Sequence, residues 1–239
     1  MPSTSNDLKI KIFADGADLP TMVEMSKKPF IRGLTTNPTL MRKAGINDYK
    51  KFAKEVLAEI QDKPISFEVF SDDLNEMIDQ ATEIASWGKN VNVKIPVTNS
   101  KGVETTKVVR ELSSQGVALN ITAILTTTQV RSVVDSLDDN SIAFISVFAG
   151  RIADTGRDPI PLMQEALKIM KHKPKSELIW ASPRELLNVI QADAIGCHVI
   201  TATSDILKKL DIIGKDLSQY SLETVKMFRD DAVASGYSI

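Results

Sequence analysis

The chain is poor in the residues that staple or metallate a protein. Among its 239 residues there is one cysteine and there are two histidines. Cys197 alone permits no internal disulfide, which fits a reducing compartment. With only His172 and His198, a mononuclear metal site built on several imidazoles is nearly excluded. Neither sign of charge prevails: the formal net charge is −2 and the sequence pI is near 5.8. Nothing therefore favours nucleic acid or an anionic membrane surface as a partner. No apolar run is long enough to span a bilayer, and no signal-peptide hydrophobic region is present. A cytoplasmic protein is expected. What remains is ordinary for a globular chain, 43% hydrophobic and 25% charged, enough for one large barrel or two average domains.

The stretch Val91-Asn92-Val93-Lys94-Ile95-Pro96 carries the first chemical hint. Its β-branched residues predict a strand that Pro96 ends. Side chains alternate along a strand, so Val91, Val93 and Ile95 share one face and Asn92 and Lys94 the other. A parallel barrel accommodates this pattern: the outer face packs on helices, and the inner face carries chemistry at the C-terminal end. A lysine held there in a dry site can present an amine to a carbonyl. A lysine snorkelling from a strand end would read the same way in isolation.

The whole chain repeats a strand–helix unit. Strands are predicted over Lys9–Ala14, Ile31–Leu34, Ile65–Phe70, Val91–Ile95, Val117–Ile124, Ser141–Phe148, Glu177–Ala181 and His198–Ala202. Helices are predicted over Leu19–Lys27, Asn47–Ile60, Ser71–Trp87 with Ser71 as cap, Gly102–Ser114, Thr126–Leu137, Ile160–Lys171, Ser182–Gln191 and Asp205–Leu210. Eight units in succession with no linker predict a single (β/α)8 TIM barrel of class α/β spanning residues 1–239. Met1–Asp7 reads as a loose end. An extra helix, about Ser221–Ser235, either covers the barrel or docks on a neighbouring subunit, and a homo-oligomer is left open.

Polar residues gather at the predicted C-terminal strand ends: Asp15, Thr35 with Asn37, Glu68, Lys94, Asn120 with Thr122, Ser146 and Ser182. That rim is where this fold holds its active sites. Asn120 and Thr122 share a face, as Asn92 and Lys94 do, so two adjacent strands point amide, hydroxyl and amine inward. Ser182-Pro183-Arg184-Glu185 reads as a capping box opening a helix, and equally as a phosphate site. An anion there would offset the clash of Arg184 with the helix dipole, and Arg151 could supply a second guanidinium.

Several separate stretches together resemble the transaldolase family: Ala14-Asp15-Gly16, Thr35-Thr36-Asn37-Pro38, Phe67-Glu68-Val69, Val93-Lys94-Ile95-Pro96-Val97-Thr98, Asn120-Ile121-Thr122, Ser146-Val147-Phe148-Ala149-Gly150-Arg151 and Ala181-Ser182-Pro183-Arg184. The resemblance runs from Phe13 to about Leu210. It implies a dihydroxyacetone unit carried from a ketose phosphate, sedoheptulose 7-phosphate or fructose 6-phosphate, to an aldose phosphate, within the pentose phosphate pathway. It implies no metal and no organic cofactor.

The roles it implies are specific. Lys94 would form the Schiff base, and Asp15 would move the hydroxyl proton during carbon–carbon cleavage and formation. Glu68 and Thr122 would hold a proton-shuttling water. Thr35, Asn37, Asn120 and Ser146 would orient the three-carbon unit, and Arg151, Ser182 and Arg184 would bind the phosphate. A sister branch, the fructose-6-phosphate aldolases, releases free dihydroxyacetone. That branch typically has Gln in place of Glu68, Tyr in place of Phe148, and no counterpart of Asn120, so these three positions side with transaldolase. The short chain and the Lys-Ile-Pro-Val-Thr wording side with the aldolases. Pro183 replaces the aromatic often found in the phosphate loop. A catalytically silent sugar-phosphate-binding barrel is the remaining alternative; it would not need Lys94.

Overall fold

The computed structural model describes residues 4–238. Eight strands close into a parallel barrel in chain order: β1 (Lys11–Asp15), β2 (Ile31–Thr35), β3 (Ile65–Glu68), β4 (Val91–Pro96), β5 (Leu119–Ile124), β6 (Ala143–Val147), β7 (Ser176–Trp180) and β8 (Val199–Thr203), with β8 pairing back onto β1. Among the described residues eleven α-helices accompany them: α1 (Leu19–Ser26), α2 (Pro38–Lys43), α3 (Tyr49–Glu59), α4 (Leu74–Ala85), α5 (Thr106–Ser114), α6 (Thr127–Ser136), α7 (Ala149–Asp154), α8 (Ile160–Ile169), α9 (Leu187–Ala194), α10 (Ser204–Leu207) and α11 (Leu217–Ala234). The (β/α)8 barrel expected from the repeating units is the architecture found.

Alternation builds the two layers. Ile65, Phe67, Val93, Ile95, Leu119 and Ile121 face the helices and are fully buried. Inside the barrel, Phe13, Phe144, Ile179 and Val199 form a separate apolar plug. The Phe13 and Phe144 rings meet edge to face at 5.4 Å. Gly33 makes room for that plug, because a Cβ there would lie 2.5 Å from the Phe13 ring. The plug closes the barrel below the rim, so polar chemistry is confined to one mouth.

Short polar residues start the helices. Asp18, Asn37, Asp48, Asp73, Thr126 and Asp216 each accept a backbone N–H in the first turn. Several expected boundaries are corrected here. Asp73, not Ser71, caps α4; Ser71 instead hydrogen-bonds the Asp73 N–H and Glu76. Helix α5 begins at Thr106 rather than Gly102, because Thr98 and Glu104 first form an antiparallel bridge. Helices α2 and α7 were not anticipated. Ser182 does not open a helix: α9 starts at Leu187, and the Asn188 side chain accepts the Arg184 and Glu185 N–H groups.

Of the segment read as a loose end, Met1 to Ser3 lie outside the described residues, and Ser5–Asp7 forms a 3-10 turn. Helix α11 does not cover the barrel. None of its residues is buried, and Leu217, Val225 and Phe228 are more than half exposed. Among the described residues no helix is long and apolar enough to cross a membrane.

Candidate active site

Strand register brings the rim residues side by side. Glu68 pairs with Lys94, and Lys94 pairs with Asn120, across β3, β4 and β5. Lys94 is 6% exposed. Its Nζ lies 3.2 Å from Glu68 Oε2 and donates to the Thr36 carbonyl at 2.8 Å. That carbonyl belongs to the Thr-Thr-Asn-Pro turn after β2, which bends the chain toward the lysine before α2 begins.

Asp15, on β1, completes a charged triangle. Burial raises its pKa above the ordinary carboxylate value; the Lys94 charge and a hydrogen bond from Thr35 oppose the rise, and the Glu68 charge adds to it. Thr35 Oγ1 donates to Asp15 Oδ1 at 2.8 Å and sits 2.6 Å from Thr201 Oγ1. Thr35 has one hydroxyl proton, so with Asp15 ionised Thr201 is the donor of the second bond. Thr201 was not among the expected site residues. Strand alternation could have found it, because it faces inward beside Phe13 in the β1–β8 register.

A second chain of hydrogen bonds runs beneath Lys94. Ser146 Oγ donates to Asn120 Oδ1 at 2.7 Å, and Asn120 Nδ2 donates to Ser66 Oγ at 2.9 Å. All three residues are buried. The network pins the Asn120 amide plane before any ligand arrives. Ser66 also escaped the sequence reading, although it shares a face with Glu68 two residues on.

Thr122 lies where β5 departs from its pairing with β6, between Ile121 and Ile124. Ala123 there has φ of 61°, an uncommon conformation for a non-glycine residue. The irregularity re-aims the strand. Thr122 Oγ1 is buried and has no hydrogen-bond partner in the protein. Buried hydroxyls are rarely left so, and a water or ligand is the natural partner.

The remaining expected residues sit on the turns after β2, β6 and β7 and on α7. Asn37 Oδ1 caps α2 by accepting the Leu40 N–H at 3.0 Å, which leaves its NH2 for other use. Phe148 precedes α7, and the Arg151 guanidinium stacks over its ring at 5.3 Å. Arg184 is held by Asp154 through two bonds, Nε to Oδ1 at 3.0 Å and a terminal nitrogen to Oδ2 at 2.5 Å. That contact keeps the Asp154 carboxyl below its usual range. Ser182 has φ of 59°, and its carbonyl presses on Gly150: a Cβ on Gly150 would lie 1.6 Å from that oxygen. Helix α7 after β6 and the loop after β7 are thus in contact, with Arg151 on the helix and Arg184 on the loop.

Cys197 and His198 stay outside this chemistry. Burial pushes the Cys197 thiol up to about 12. His198 Nδ1 accepts the Leu178 N–H at 2.9 Å, and burial lowers its pKa.

A buried amine beside two carboxylates stands at the C-terminal mouth of a (β/α)8 barrel, the end at which this class of barrel carries its active sites. The chain belongs to the Transaldolase/Fructose-6-phosphate aldolase family, whose profile matches residues 12–239. It is 34% identical over 202 residues to a probable transaldolase of Dehalococcoides mccartyi, covering 84% of this chain and 90% of that one. A probable transaldolase of Thermoanaerobacter sp. strain X514 is 32% identical over 231 residues, 96% of this chain and 100% of the relative. One from Clostridium acetobutylicum is 36% identical over 202 residues, 84% and 89% of the two chains. Among solved structures, dihydrodipicolinate synthase from Rhodopseudomonas palustris superposes with a TM-score of 0.57 over 96% of this chain and 80% of that one. At 12% identity that likeness is one of fold alone.

Proposed function

We propose that this protein is a cytoplasmic transaldolase of the pentose phosphate pathway, acting through a Schiff base on Lys94. The observation that carries the reading is the Lys94 amine, buried and 3.2 Å from Glu68. The deprotonated amine adds to the ketose C2 carbonyl, and loss of water leaves an imine. Asp15 takes the C4 hydroxyl proton as the C3–C4 bond breaks. The bonding electrons move into the imine, giving an enamine, and the aldose phosphate departs. An incoming aldose phosphate reverses these steps, and hydrolysis frees the lysine.

The supporting geometry extends to the other residues. The unpartnered Thr122 hydroxyl, with Glu68, suits a bound water that carries protons to and from the adduct. Thr35, the Asn37 amide, Asn120 and Ser146 are set to orient the three-carbon unit. Arg151 on α7, with Ser182 and Arg184 on the loop that touches it, would take the phosphate of fructose 6-phosphate or sedoheptulose 7-phosphate. The bare apolar side chains of α11 support a homo-oligomer as the working form, which sedimentation would reveal.

The test begins with borohydride trapping on fructose 6-phosphate. The reduced three-carbon adduct should map to the peptide holding Lys94; an adduct on another lysine, or none, refutes the mechanism. A second assay separates transferase from aldolase. Phe148 offers no hydroxyl to order water near the enamine, so transfer to erythrose 4-phosphate should outrun release of free dihydroxyacetone. Phe148→Tyr should raise release relative to transfer. If acceptor-free cleavage by the unmutated protein is as fast as transfer, the aldolase reading replaces this one.

A further inference from the structure

The β2–β3 ladder stops one bond short at the site. Leu34 pairs with Ile65 and Thr35 with Ser66, and the Thr36 N–H then reaches the Ser66 carbonyl. The next bond of a parallel ladder would join the Glu68 N–H to the Thr36 carbonyl. It is replaced by two side-chain contacts. The Thr36 carbonyl accepts Lys94 Nζ at 2.8 Å, and the Glu68 N–H is taken by the Tyr49 hydroxyl, also at 2.8 Å. The same hydroxyl donates to the Glu68 carbonyl at 3.0 Å. One phenol thus occupies both backbone groups of Glu68 on the side that β2 has vacated.

Tyr49 is built for this. It is the first residue of α3, and its ring is walled by Phe67, Phe70 and Trp87 at centroid distances of 6.1, 4.6 and 5.4 Å. A phenol is already protonated at neutral pH, and burial raises its pKa further, so the hydroxyl is a donor there.

We infer that Tyr49 is a positioning residue: its hydroxyl stands in for the missing strand partner, fixes Glu68 against Lys94 and leaves the Thr36 carbonyl to the lysine. This rests on the Schiff-base reading above. Without the hydroxyl, the Glu68 N–H would seek the Thr36 carbonyl and take it from Lys94.

Tyr49→Phe removes one oxygen and keeps the ring wall. It should lower kcat, and the rate of borohydride-trappable adduct formation, by about tenfold, with KM for fructose 6-phosphate little changed. In a Glu68→Gln background the same substitution should cause a smaller loss of trapping rate, because the carboxylate it positions is gone while the backbone N–H of residue 68 still competes for the Thr36 carbonyl. Phe70→Leu, at a half-exposed ring of the wall, should give a smaller loss of the same kind and is decisive if Tyr49→Phe does not fold. Unchanged kcat in the folded variants, or an equal loss in both backgrounds, overturns the inference while the Lys94 adduct stands. Absence of any Lys94 adduct in the unmutated protein overturns the Schiff-base reading and this inference with it.

Discussion

The barrel holds a lysine–glutamate pair at each mouth. At the N-terminal mouth Lys11 and Glu177 meet at 2.5 Å, with 49% and 29% of their side chains exposed. At the C-terminal mouth Lys94 and Glu68 meet at 3.2 Å, with 7% and 17% exposed. The shorter contact is the less consequential one. Water and salt screen the Lys11 pair, and such surface pairs contribute about 0–1 kcal/mol. The Lys94 pair sits in a drier site with Asp15 and an unsatisfied Thr122 hydroxyl nearby, where desolvation is costly, and such perturbed clusters gather at functional sites. An ion pair by itself therefore says little about function; its surroundings decide.

The contrast can be broken most severely at Lys94. Lys94→Arg keeps the charge but has no amine to offer, so transfer and adduct trapping should fall to background. Lys11→Arg should leave both near the unmutated level; a matching loss there would erase the distinction between the mouths.

Asp15→Asn should come next, slowing transfer by about 10²–10⁴-fold, the usual worth of a positioned acid–base group. It should also stabilise the fold at neutral pH. Burial raises the Asp15 pKa, so the ionised form is penalised in the folded state above that raised pKa. The penalty disappears as pH falls below the ordinary value of 3.8. Thermal melts should show the variant ahead of the unmutated protein at pH 7, with the gap closing toward acid. A gap that widens in acid would mean that the carboxylate form is the favoured one.

The smallest effect belongs to the N-terminal mouth. Glu177→Gln should cost no more than about 1 kcal/mol of stability, and less as salt is added. Denaturant titration at two ionic strengths measures this directly. A larger, salt-independent loss would place Glu177 among the structural groups of the barrel floor.

Much of the C-terminal mouth was legible because strand alternation is a local rule. Asn92 and Lys94 inward, Val93 and Ile95 outward, follow from sequence order alone, and the same rule places Asn120 and Glu68. What escaped depends on distant partners. The helical spacing over Asn47–Ile60 puts Tyr49 on an apolar face with Phe52 and Val56, which is right for its ring and silent about its hydroxyl. The Arg184–Asp154 contact joins a loop to the end of α7, 30 residues apart, and leaves no local mark. Ser182 carries a capping signature in Ser-Pro-Arg-Glu, yet its left-handed backbone and its contact with Gly150 carry the chain past the start expected for α9. Helices α2 and α7 are six residues each, too short for a helical period to show.

Gly150 also sets a limit on how the molecule can vary. The Ser182 carbonyl occupies the space of the missing side chain, so even one methyl would pry α7 and the loop apart. The gap between Arg151 and Arg184 is gauged by an absent carbon. On the phosphate-binding reading proposed for Arg151 and Arg184, a change of substrate size at this end would come through the reach of the cations, because a side chain in place of the glycine would collide with the Ser182 carbonyl.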